Sequence, residues 1–227
     1  MNLVLLVFSY CLLILVAINP VRAVEFHVIN NAIGTAGGLR FENEIGHLYA
    51  VYLLDLASNF IWQTFQQDEN ERQDIKEVSM TVETMEWIAD TENAKISLNS
   101  DYIGNYSGDV RFEVIGIIYH EATHVWQWNG NNHDVPEGLI EGIADYVRLK
   151  AGLAPPHWAK KGSGKKWDEG YTVTAYFLDY CDELKSGFVA SLNCLMKDNY
   201  SDEYFVQLLG KTVDELWMAY KNKYGSV

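Results

Sequence analysis

Residues 113–128, EVIGIIYHEATHVWQW, and residues 138–150, GLIEGIADYVRLK, decide how this chain is read. Both carry apolar residues at three- and four-residue spacing, the pattern of helices packed against a core. At about 100° per residue, His120 and His124 sit one turn apart on one helix face, so two imidazoles can converge on a single ion. The opposite face, Ile115, Ile118, Ala122 and Val125, packs that helix into the core. Glu121 points away around the helix, where it can take a proton from a water without displacing it, as a general base must. An HExxH motif by itself is shared with helices whose histidines are merely solvated; the second helix gives it weight. Glu141 and Asp145 stand one turn apart on a helix whose Leu139, Ile140, Ile143, Ala144 and Val147 would bury it, so unpaired carboxylates there would be costly. A catalytic zinc takes three protein ligands and keeps a fourth position open. The expected set is His120, His124 and Glu141, with Asp145 accepting the N–H of a ligating imidazole. Asp145 and His133 stay open as alternatives for the third ligand. A metzincin pattern fails, because Gln127 and Gly130 stand where its glycine and third histidine would be.

Upstream, Glu42 to Gln67 has helical periodicity, and residues 77–82 and 94–99 alternate apolar and polar as strands do. Downstream the chain reads as helical, with Thr212 and Glu215 spaced as a capping box. Helices with a small sheet come first and helices alone follow, which indicates an α+β fold: a small mixed sheet with the active-site helix in the N-terminal half, and a mainly helical C-terminal half.

The apolar run from Leu3 to Ile18 is shorter than the roughly 20 residues that span a bilayer. Pro20 ends it, and Val21 and Ala23 fit the small-residue positions of a signal-peptidase site. We expect a signal peptide at 1–23, no stable membrane anchoring after its removal, and one domain at 24–227, with a sheet-containing lobe at 24–130 and a helical lobe at 131–227. Secretion leaves Cys181 and Cys194, an even pair in an oxidising compartment, and we expect them to be bridged. It also makes the sequons at Asn105 and Asn199 usable for glycosylation. With 17 basic residues against 31 acidic ones and a net charge of −14, the chain lacks the basic surface that nucleic acid requires.

The run YHEATHVWQWNG (119–130) followed by GLIEGIADYVRLKAG resembles the plant basic secretory protein family, plant and bacterial peptidases of the zincin clan. The similarity continues through NNAIGTAGGLRFENEIG, FIWQTFQQ, YSGDVRFEVIG, WDEGYTVTAYFLDYC and LLGKTVDELW, nearly the whole chain after the leader. The resemblance implies a zincin-like fold, secretion to the apoplast, a defence-associated role and metallopeptidase activity. It places the metal-binding motif on His120 and His124, the catalytic glutamate on Glu121, and the ExxxD element on Glu141 and Asp145. This chain departs from the family in being acidic, so binding to acidic cell-wall polymers is not expected of it.

Lesser candidates are Tyr171 as an oxyanion donor and residues 96–99 as an edge strand that pairs with an extended peptide. Trp126, Trp128, Trp158 and Trp167 read as core residues before cleft lining, and the lysines flanking Gly162 to Gly164 as a solvated loop before a mobile lid. The leading expectation is a secreted zinc endopeptidase acting on peptides or proteins. Two rivals are a non-catalytic secreted defence protein that binds a peptide or glycan, and an aminopeptidase gripping the substrate amino terminus through Glu113 or Glu137.

Overall fold

The computed structural model describes residues 23–132 and 135–225. The leader expected at 1–23 lies outside these residues but for Ala23, as does His133. The protein is mixed α+β, with one four-stranded sheet and nine α-helices among the described residues.

Strands β1 (Glu25–Asn30), β2 (Glu77–Glu83), β3 (Ala89–Glu92) and β4 (Lys95–Asn99) lie in the order β1-β2-β4-β3. The first three in that order are parallel, and β3 runs antiparallel to β4 at one edge. Val78, Met80 and Val82 alternate inward with Ile96 and Leu98, while Ser79, Thr81, Lys95 and Ser97 face outward, so only one side of the sheet is apolar. A parallel β1–β2 pair needs a crossover, here made by α1 (Ala36–Glu44) and α2 (His47–Thr64). The single helix expected over 42–67 is therefore two, broken at Ile45 and at Gly46, whose φ of +81° ends the first and opens the second.

After the sheet come α3 (Ser100–Asn105) and α4 (Val110–Trp126), the helix that carries HExxH. Asp109 caps α4 by accepting from the Phe112 amide at 3.0 Å, and the helix stops where Gln127 turns extended. It packs beside α2 and beneath β3 and β4; a buried bond from Trp126 Nε1 to Ser58 Oγ at 2.9 Å joins it to α2. Then follow α5 (Glu137–Lys150), α6 (Tyr171–Leu184), α7 (Phe188–Leu195), α8 (Glu203–Leu209) and α9 (Val213–Tyr224), which opens on the expected Thr212–Glu215 capping box.

Helix α5 presses against α6 at Gly142 and against the segment leading into α6 at Gly138. A Cβ on Gly138 would lie 1.9 Å from the Asp168 carbonyl oxygen, and one on Gly142 would lie 2.3 Å from Thr174 Cγ2. On its other side α5 is tied to α4 by a buried ion pair, Arg148 Nη2 to Glu113 Oε2 at 3.1 Å. Tyr102 and Tyr106 donate their hydroxyls to the same carboxylate at 3.2 and 3.3 Å. Glu113 is thus committed to the scaffold, which removes it as a grip for a substrate amino terminus.

Two further expectations are corrected. Residues 96–99 lie in β4, inside the sheet; the edge beside α4 is β3. Cys181 and Cys194 do not form the expected bridge: both thiols are free, Cys181 packed into the core from α6 and Cys194 turned to solvent on α7. The lysine-flanked loop is strapped down, with Lys161 paired to Asp179 at 2.9 Å and to Glu183 at 3.0 Å, and the Gly162 amide donating to the Tyr220 hydroxyl at 2.7 Å. Trp126 and Trp167 are core residues, while Trp128 and Trp158 are half-buried. Among the described residues no helix is long and apolar enough to cross a membrane.

Candidate active site

Helices α4 and α5 meet where His120, His124 and Glu141 turn toward one another. The His120 and His124 Nε2 atoms are 3.1 Å apart, and Glu141 Oε2 lies 3.2 Å from the first and 3.7 Å from the second. Atoms about 2.0–2.1 Å from a tetrahedral zinc stand about 3.3 Å from each other, so this triangle has the dimensions of three zinc ligands with a fourth position open. Two imidazoles and a carboxylate are also the donor chemistry zinc accepts.

Each imidazole is gripped on its far nitrogen. Asp145, one turn beyond Glu141, places Oδ1 2.7 Å from His120 Nδ1. The Gln127 side-chain amide stands 2.9 Å from His124 Nδ1 and reaches the Ile140 carbonyl at 3.3 Å, bridging the end of α4 to α5. In the metal-free protein burial works against a charged His120, but the hydrogen bonds it donates to Asp145 and Glu141 outweigh it and raise its pKa to about 10. Burial likewise opposes ionisation of Glu141, yet the hydrogen bonds from His120 and His124 hold its carboxyl well below the usual range.

Glu121 is 6% exposed and lies outside the triangle, accepting from Thr91 Oγ1 on β3 at 2.6 Å. Tyr171 opens α6 with its ring stacked on His120, centroids 6.1 Å apart and planes 10° from parallel. Its φ of +43° follows Gly170 at +97°; such strain in a residue with a large side chain persists where surrounding structure enforces it, and it clusters at functional sites. Burial, then the nearby Glu141 and Asp145 carboxylates, push the Tyr171 phenol above its ordinary pKa and keep it a donor. Glu137, exposed in the first turn of α5, is close enough to add to that effect. The sequons are accessible, since Asn105 and Asn199 are both exposed.

Of the expected site residues, the structure gathers His120, His124, Glu141, Asp145, Glu121 and Tyr171 into one place. Sequence reasoning missed Thr91 and Gln127. Gln127 had a signal in its spacing, three residues past His124 at the end of the same helix. Thr91 had none, being 30 residues from the side chain it touches.

This α+β protein brings two imidazoles and a carboxylate around one point, a group of side chains that could hold a metal ion, with the Glu121 carboxylate alongside. Residues 21–220 match the family described as peptidases of plants and bacteria, and the chain belongs to that family. A basic secretory protease from Boswellia serrata is 45% identical over 60 residues, covering 26% of this chain and 69% of the relative. No solved structure matches.

Proposed function

We propose that this chain is a secreted zinc-dependent endopeptidase with a zincin-like fold, held in a single domain at 24–227 and made with a signal peptide at 1–23. One observation carries the reading: the triangle formed by His120, His124 and Glu141 has Glu121 directly beside it on the same helix. A zinc ion there would polarise the scissile carbonyl and acidify a water. His120 and His124 would hold it through Nε2 and Glu141 through Oε2. Asp145 would keep His120 in the tautomer whose Nε2 lone pair faces the ion, and Gln127 would steady His124. Glu121 would accept a proton from the attacking water and deliver it to the leaving amine, while Tyr171 would donate its phenolic O–H to the developing oxyanion. The edge strand β3, which pairs only with β4 among the described residues, would offer backbone groups to an extended peptide. Secretion into the extracellular space, the apoplast in a plant, is supported by the leader-like run and by the Boswellia relative's being a basic secretory protease by name. A defence-associated role belongs to the same reading.

The test compares zinc-loaded wild type with Glu121→Gln on unstructured casein. The wild type is expected to cut and to stop when a chelator is added, with the variant silent yet holding one equivalent of zinc. A variant that loses zinc together with activity would make Glu121 a metal-site residue and sink its assignment as proton acceptor. Two zinc-loaded proteins that both leave casein intact would favour the binding-protein alternative.

A further inference from the structure

Thr91 Oγ1 lies 2.6 Å from Glu121 Oε2 and 3.2 Å from the Glu121 backbone oxygen. A hydroxyl has one proton to donate, and the shorter separation is that of a charge-assisted O–H···O⁻ bond, so the proton goes to Oε2. Glu121 is buried, and with Oε2 held by Thr91 its second oxygen, Oε1, is left to receive a proton. Thr91 itself has little freedom. It faces Ile96 across the β3–β4 ladder, and the hairpin closes immediately after it through Asn93 and Ala94, at φ +49° and +61°. Positive φ at both central positions is the signature of the tightest hairpin turn, which fixes register. At the other end of β3, Asn99 Nδ2 donates to the Met85 and Trp87 carbonyls, each at 2.9 Å.

We propose that Thr91 is a positioning residue for Glu121. Its hydroxyl holds Oε2 and so presents Oε1 to the site. Because Thr91 belongs to the strand that an extended substrate would join, it also fixes the distance between substrate backbone and proton acceptor, the kind of alignment on which proximity effects depend. The kinetic part of this inference rests on the peptidase reading above. The competing explanation is a plain structural tie of strand to helix through the 3.2 Å contact with the backbone oxygen.

The experiment compares zinc-loaded wild type, T91V and T91S in peptide hydrolysis, in zinc affinity by chelator competition, and in high-resolution crystal structures. For T91V, kcat is expected to fall about 10–100-fold, the range typical of lost supporting hydrogen bonds, with KM within about twofold. Zinc affinity is expected to hold, and the Glu121 carboxylate to spread over more than one conformer. T91S, which restores the donor, is expected to recover most of the rate and a single Glu121 conformer. A T91V that keeps wild-type kcat and an unmoved Glu121 overturns the proposal. So does equal loss in T91V and T91S accompanied by weaker zinc binding, which is the mark of a structural tie. If T91V does not fold, T91A carries the same expectations. If the wild type hydrolyses nothing, the peptidase reading falls, and the Glu121 conformers in the crystal structures still decide the role of Thr91.

Discussion

His120 can bind a metal only by giving up a proton that the metal-free protein holds firmly. With a pKa raised to about 10 against burial by its two carboxylate partners, the ring is charged at neutral pH, and an incoming ion must displace that proton. Apparent zinc affinity should therefore rise about tenfold per pH unit through neutrality and level off as pH approaches 10. Chelator competition at a series of pH values would show this; a flat profile would mean that the ring is already neutral. The stability sign is the reverse. A folded-state pKa above the ordinary 6.5 gives the metal-free protein stability that is complete below pH 6.5 and lost as pH climbs to about 10. Acid thus favours the empty fold and base the loaded one.

Helices α4 and α5 are held at the right separation by Glu113 and Arg148, and their pair shows how far sequence could be read. Glu113→Ala would leave a buried guanidinium without its counter-charge, a loss of about 3–5 kcal/mol; urea unfolding of the metal-free protein should register it. Both helices were legible because apolar periodicity and paired acids survive in one dimension. Strands β2 and β4 were legible for the same reason, from Val78, Met80 and Val82 and from Ile96 and Leu98. Strand β1 was not, because it buries only Val28 fully, and β3 was not, because Ala-Asp-Thr-Glu has no apolar alternation at all. With β3 unseen, the sheet edge was assigned one strand too far inward and Thr91 went unnoticed. The break at Gly46 was hidden because Ile45, Leu48, Tyr52, Leu56 and Phe60 read as one continuous stripe, although Leu48 and Tyr52 are in fact exposed.

At the scale of the whole molecule, the candidate centre stitches the sheet-bearing portion to the helical one, since two of its expected ligands lie on α4 and the third on α5. Ligand binding confined to the folded state adds stability by mass action, about 4 kcal/mol at a thousandfold excess over Kd. Zinc should accordingly raise the midpoint of thermal unfolding and a chelator should lower it, followed by circular dichroism. An unchanged midpoint would show that the three side chains hold no ion. The liganding helices were readable from local pattern, but the cysteine pairing was not, because whether two thiols meet depends on how α6 and α7 are rotated in the assembled core. Those two thiols carry a wider consequence. Cys181 and Cys194 are unbridged, so among the described residues no covalent strap joins one part of the architecture to another. No bridge has to form while such a chain folds, and a reducing bacterial cytosol should serve to manufacture it as well as an oxidising secretory compartment does.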